Sequence, residues 1–286
     1  MKNWYLAYPT LAILIWTGSP IAAKLSVNVV EPAQIAFLRW LIAFVILSPL
    51  VLPSFIAARK DVFPHWLTLL VLSFLGMVTY QSLAYFAAPY TSATNIGLLN
   101  ASIPIFSIMI EAIAFRKRQS PKVILGCIIA FIGVVVLVSQ GEMTSLFRNH
   151  VNFGDFLILV SCLSYALYSV LVGRIAPGIS RWHSLYAQIG FAVVLLLPGF
   201  LLSGPVAISP NGALIILYVG IPASIFAPFF WMQGVRYLGS ARTSAFLNVV
   251  PITTLVAASL LLGEPLAPFQ IVGGFLALAG VLLSQA

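Results

Sequence analysis

The chain has 286 residues, of which 61% are hydrophobic and only 7% charged, and its mean hydropathy is +1.08. Soluble globular chains carry about 25% charged residues, so a water-soluble fold would lack the polar groups to cover its surface, and an integral membrane protein is expected. The net charge of +8 does not point to nucleic acid, because the basic residues are not gathered with exposed aromatics, and the two cysteines form no disulfide framework, metal spacing or redox motif.

A hydrocarbon core about 30 Å thick requires roughly 20 apolar residues per helix. Ten runs meet that requirement. They are 4–23, 33–53, 65–87, 93–114, 122–139, 154–173, 183–203, 212–235, 241–262 and 267–285. The longest connection, 140–152, divides five spans from five. The first run is short enough to pass for a signal peptide. Cleavage is rejected, because it would remove the partner of the sixth run in the repeat described next.

Orientation follows from lysine and arginine. With the N-terminus in the cytoplasm, the inner segments hold Lys2, Arg59, Lys60, Arg116, Lys117, Arg118, Lys122, Arg174, Arg181, Arg236 and Arg242. The outer loops hold only Lys24 and Arg148, while Arg39 sits within the second span. The positive-inside rule then places both termini in the cytoplasm, in a cell or inner membrane, and assigns the net charge to topology rather than to a ligand.

The chain repeats itself. "SATNIGLLNASIP" at 92–104 returns as "SARTSAFLNVVP" at 240–251, one residue shorter between the Asn and the Pro. From Pro104 and Pro251 onward the halves align at a constant offset of 147: Pro121 with Pro268, Gly126 with Gly273, Ala130 with Ala277, Gly133 with Gly280. Each half has an odd number of spans, so the second crosses the membrane upside down, as in secondary transporters built from inverted repeats. The expected fold is an all-α membrane protein of ten helices in two inverted five-helix repeats around a central cavity. Residues 1–140 form the first repeat, 141–152 an external linker and 153–286 the second repeat.

Together with "FLRW" at 37–40, the paired "SA…LN…P" segments and "LLGEPLAPFQIVGGFLALAGVLL" at 261–283, this pattern resembles the drug/metabolite transporter superfamily, EamA type, over essentially the whole chain. The resemblance implies export of small metabolites, often amino acids. One departure stands out. Lys117 in "AFRKRQSP" occupies the place of Glu264 in "LLGEPLAP", so no role shared by two glutamates transfers.

The spacing of small residues suggests which helices pack. Gly126 and Gly133 share a face of span 5, as do Gly273 and Gly280 on span 10, and small residues let helix backbones approach closely in lipid. These four are read as packing positions. On span 4, Ala93, Gly97, Asn100, Pro104, Ser107 and Glu111 fall within roughly 60° of one another, a stripe too polar to face lipid. Asn100 and its counterpart Asn248 each lie about 12 Å from a helix end. Either they contact substrate, or they fix the bundle by interhelical hydrogen bonds.

Glu111 is a candidate for proton coupling, or it snorkels toward the basic residues at 116–118. Arg39 either attracts a substrate carboxylate or snorkels outward. Trp16, Tyr80, Gln81, Tyr85, Tyr165 and Tyr168, with Trp231 and Gln233 less central, supply aromatic faces and amides for a pocket, or pack as core.

Converging nucleophile, base or metal ligands are missing from the sequence, so no catalytic residue, metal or cofactor is assigned and an intramembrane enzyme is disfavoured. The leading reading is an exporter working by alternating access, for amino acids with large neutral or aromatic side chains. Drugs, amines and nucleosides are the alternatives, with a channel more remote. The implied partners are a small-molecule substrate and the lipid bilayer, not nucleic acid, and a monomer is compatible with this.

Overall fold

The computed structural model describes residues 3–116, 120–141, 152–172, 179–238 and 246–285. The termini Met1 and Ala286, linker residues 142–151, Lys117, Arg118, Arg174, Ala241, Arg242 and Ala245 lie outside the described residues, and Asn248 is described only in its backbone.

Among the described residues, eight helices are long and apolar enough to cross a membrane. They are Trp4–Leu25 (α1), Pro32–Ala57 (α2), Arg59–Ala87 (α3), Ala93–Ala114 (α4), Pro121–Val138 (α5), Phe153–Val172 (α6), Arg181–Leu202 (α7) and Pro210–Leu238 (α8). Two shorter apolar helices follow, Val250–Leu262 (α9) and Pro268–Ser284 (α10). Each overlaps one predicted run, with the largest shifts at the start of α9, where helix begins at Val250 instead of residue 241, and of α3, where it begins at Arg59 instead of residue 65. Among the described residues there is no strand.

Local chemistry sets the helix ends. Ser92, Ser120 and Ser209 accept from the backbone N–H three residues on, and Pro121 and Pro210 follow as first helical residues. α9 stops at Gly263, whose φ of 64° lies in the left-handed region open to glycine. Leu50, Leu202, Leu260 and Phe275 turn outward and are exposed, as expected where the surrounding solvent is lipid.

Corresponding helices of the two halves meet. α5 packs on α10, α2 on α7 and α4 on α9, while the pairing of α1 with α8 is mirrored by that of α6 with α3. The pairs run antiparallel. On α5, Gly126 faces Gly280 and Ser284, whereas Gly133, two turns later, faces Ala277 and Gly273. The α2–α7 seam runs the same way, with Phe37 stacked on Phe200 at 4.4 Å and Phe44 on Tyr186 at 5.0 Å. At the α5–α10 crossing a methyl group on Gly126, Gly133 or Gly280 would overlap backbone atoms of the facing helix. Glycine is the side chain that admits this approach.

Two kinds of interruption recur in both halves. α3 widens into a π-helical segment at Phe74–Thr79, and α8 does so at Pro222–Phe226. α4 is broken after Leu99 and resumes at Ser102. α9 is preceded by a 3₁₀ turn, Phe246–Val249. The second kind explains the duplicated Leu-Asn…Pro. A proline ring clashes with the carbonyl four residues earlier: for Pro104 that residue is Asn100, at the break, and for Pro251 it is Leu247, inside the 3₁₀ turn.

Because the α5–α10 contact is made backbone to backbone, Gly133→Ala should destabilise the protein by about 1–3 kcal/mol, the usual cost of overpacking. Gly199→Ala, inside α7 where a methyl would meet nothing within 4 Å, should not lower stability and should raise it by up to about 1 kcal/mol through helix propensity. Denaturation of the two purified variants side by side checks this, and equal stability would mean that the helices separate at no cost.

Candidate substrate site

Arg39 lies two turns into α2 and is 2% exposed. It does not snorkel. Its Nη1 donates to Gln81 Oε1 at 2.8 Å and to the Tyr85 hydroxyl at 2.9 Å, both on α3. Its Nε and Nη2 donate to Ser224 Oγ on α8, at 3.2 and 2.9 Å. The guanidinium also lies against the Trp40 ring, 4.8 Å from its centroid, a cation–π contact of added value where water is excluded. Every one of these partners is neutral.

The π-helical segments explain how the arginine is held. Widening a helix frees carbonyls that a membrane interior cannot hydrate, and here side chains take them up. Ser224 Oγ, while accepting from Arg39, donates to Val219 O at 2.7 Å. Trp40 Nε1 donates to Met77 O at 3.3 Å. From α1, Trp16 Nε1 reaches Ala223 O at 3.2 Å, and from α6, Ser164 Oγ reaches Leu75 O at 2.9 Å. Each half thus receives, in the third helix of its repeat, a donor from the first helix of the other.

Beside this cluster, Tyr80, Tyr165 and Tyr168 form an aromatic group, with centroids 4.4 Å apart for Tyr80–Tyr165 and 5.3 Å for Tyr165–Tyr168. The three tyrosines and Gln81 are half-buried, while Tyr85 is buried. Gly76 lets Tyr168 lie against α3, where a methyl would touch its ring. Trp16 stacks near Trp231 at 5.5 Å, and Gln233 is half-buried near the far end of α8. The α4 stripe faces protein: Gly97 meets Thr254 of α9, and Ser107 meets Ser169 of α6. Asn100, at the break, accepts from the Cys162 thiol of α6 at 3.4 Å. Glu111 is half-buried in the last turn of α4, away from the Arg39 cluster.

Two cavities open between helices elsewhere. One of about 410 Å³ is lined by Phe55, Arg59, Phe63, Trp66 and Phe191, and one of about 290 Å³ by Ala36, Thr79, Ser82, Phe86 and Leu195. Among the described residues no group of three or more His, Cys, Asp or Glu is placed to hold a metal ion.

Sequence reasoning missed Ser224, an inconspicuous serine in an apolar run, and Tyr218, whose hydroxyl donates to Ile15 O on α1. It also missed a polar cluster at the end of the bundle where the linker joins the halves. There Glu264 accepts from the Ala93 and Thr94 N–H groups at 2.8 and 3.0 Å and from the Thr94 hydroxyl at 2.7 Å. Asp155, in the first turn of α6, is completely buried against α4. The signal for Glu264 lay in its place four residues before a helix-starting Pro-Phe-Gln. For Asp155 there was none beyond an acid at the edge of a run.

A bundle of paired helices, bent at matching places and carrying a buried arginine between them, is the architecture of a multi-pass membrane transporter. The EamA-like transporter family model matches residues 3–139 and 152–285, and the chain belongs to that family. A protein of Archaeoglobus fulgidus named an uncharacterized transporter is 30% identical over 284 residues, covering 96% of this chain and 95% of its own. A Salmonella typhimurium protein named a probable amino-acid metabolite efflux pump is 25% identical over 298 residues, covering 99% of this chain and 94% of its own. A solved crystal structure shares the fold at a TM-score of 0.62 and 18% identity, over 99% of this chain and 96% of the other.

Ser224 holds a charge and Ser164 a neutral carbonyl, so their removal should differ. Ser224→Ala strips an acceptor from two guanidinium N–H groups and should cost roughly 1.5–3 kcal/mol, against about 1 kcal/mol for Ser164→Ala. Chemical denaturation of both variants measures the difference. Equal costs would mean that Arg39 does not depend on α8.

Proposed function

We propose that this transporter exports small metabolites bearing a carboxylate, with large neutral or aromatic amino acids favoured, by alternating access, and that its two termini face the cytoplasm. The observation that carries this reading is Arg39, a guanidinium 2% exposed whose partners are all neutral. Holding a full charge away from water is expensive unless something compensates it. No carboxylate among the described residues does so, which leaves that role for the solute.

The rest of the pocket is then assigned by chemistry. Gln81, Tyr85 and Ser224 aim the guanidinium. Tyr80, Tyr165 and Tyr168 enclose an apolar side chain. Asn100 and Asn248, at the matching breaks, offer amides to the polar end of the solute. The name of the Salmonella relative supports amino-acid metabolites as the class. Drugs, amines and nucleosides remain the alternative, and they do not call for an arginine.

An accumulation screen tests this. Cells expressing the chain are loaded with a metabolite mixture, and the solutes that leave fastest should carry a carboxylate. Arg39→Gln should weaken their binding roughly tenfold or more, and Asn100→Ala several-fold, as expected for losing a charged and a neutral hydrogen bond. Fast efflux of amines or nucleosides that is indifferent to Arg39→Gln would overturn the assignment.

A further inference from the structure

Asp155 is 0% exposed. Thr91 Oγ1 donates to its Oδ1 at 2.5 Å, and Asn95 Nδ2 donates to Oδ1 and Oδ2 at 3.4 and 3.3 Å. Asn95 in turn accepts from Gln270 Nε2 of α10 at 2.8 Å. One carboxyl group therefore ties α6 to the start of α4 and, through Asn95, to α10. The fit is tight, since a methyl on Gly154 would lie 2.9–3.0 Å from Ala87 O and from the Cβ atoms of Tyr90 and Thr91.

This carboxyl has no cation among its hydrogen-bond partners. Lys24 of α1 reaches the same turn, where its ammonium donates to the carbonyls of Ala88 and Thr91, at 2.9 and 2.8 Å. Of the other titratable groups facing this end, Tyr90 stacks edge-on with Phe153. Glu264 is half-buried and takes the N–H groups that begin α4. Cys162 lies two turns further along α6 and bonds to Leu99 O and Asn100. Deeper still, Tyr85 belongs to Arg39. Glu142, Arg148 and His150 lie outside the described residues. Asp155, in the first turn of α6, thus has one hydroxyl and one amide as its side-chain donors, Asn95 on α4 and Thr91 in the turn that leads into α4.

We propose that Asp155 is the proton-binding site of the transport cycle. Ionised, it accepts from Thr91 and Asn95 and keeps the linker end of the bundle shut. A proton arriving from the water on that side forms an O–H bond on one carboxyl oxygen, removes the charge that both donors serve, and frees α4 to move from α6 and α10. Acid on the linker side therefore opens that side. Glu111, for which the sequence left proton coupling and snorkelling open, sits half-buried near the opposite end of α4 and is not needed for this. The inference rests on the chain being a transporter, not on which solute it carries.

The test needs no solute. In the full chain with Cys127 and Cys162 replaced by alanine, Ala93→Cys places a thiol at a 0% exposed position in the first turn of α4, packed with Ile21 and Ala258 and between Thr91 and Asn95 in sequence. Its labelling by a water-soluble maleimide is followed from about pH 5 to about pH 8, a range that covers a buried carboxyl. Rates are divided by those of the unfolded protein at the same pH. Labelling should be several-fold faster at the acid end. That dependence should disappear in Asp155→Asn and persist in Glu111→Gln. In Asp155→Glu, the variant to use if the amide fails to fold, the midpoint should move. A flat profile without any change at Asp155, a profile surviving Asp155→Asn, or a midpoint unmoved in Asp155→Glu each overturns the proposal. A pH-dependent latch in a protein that exports no carboxylate-bearing solute would sustain it while removing the solute assignment.

Discussion

A membrane interior offers no water to a backbone carbonyl, so a helix that departs from regular geometry there must find a side chain for each group it frees. The whole arrangement of this protein follows from meeting that demand at the two π-helical segments. Trp16, Trp40, Ser164 and Ser224 take the carbonyls of Ala223, Met77, Leu75 and Val219. Three of these four donors come from a neighbouring helix, so the bends also set how the helices sit. Ser224 does both things at once, donating to its own helix and accepting from Arg39. A charge can stay in the centre of the bundle because the irregular backbone beside it is already held.

The repeat supplies two of everything, and function lies where the copies differ. α5 and α10 are equivalent in sequence and meet as equals across glycines. The ends of α4 and α9 are not equivalent. Glu264 binds the first N–H groups of α4 at the linker end, while the residue in the corresponding place of the first half is Lys117, which lies outside the described residues. Residues 1–30, where the first half would place a counterpart of Asp155, contain no Asp or Glu. The linker end therefore carries an acidic latch for which the other half supplies no matching pair of acids. Inverted repeats exchange two conformations of similar energy, and an asymmetric latch of this kind biases which of them rests.

Much of this was legible in the sequence because lipid imposes strong patterns. Span number followed from hydropathy, the inverted repeat from the duplicated segments, and close packing of spans 5 and 10 from glycines spaced by seven, though not that these two spans meet each other. Leu-Asn…Pro marked the breaks, since a proline's effect falls at a fixed distance behind it. The rest was not legible, for reasons equally physical. A π-helical segment needs no special residue, and "FLGMVT" reads as ordinary apolar helix. Arg39 left snorkelling and burial open because length alone does not decide where a guanidinium ends; the position of Gln81, Tyr85 and Ser224 does. Asp155 looked like a residue at a membrane edge until the α3–α4 turn was seen to cover it.

In the proposed function the buried Arg39 meets an anion of the solute, and the most direct measurement compares two solutes that differ in that anion alone. In vesicles containing the purified chain, uptake of L-phenylalanine and of its C-terminal amide is followed with either as competitor. The account predicts saturable transport of the acid and weak or no transport of the amide. Equal transport of both, each displacing the other, would contradict it, and would leave Arg39 as a structural bolt between α2, α3 and α8.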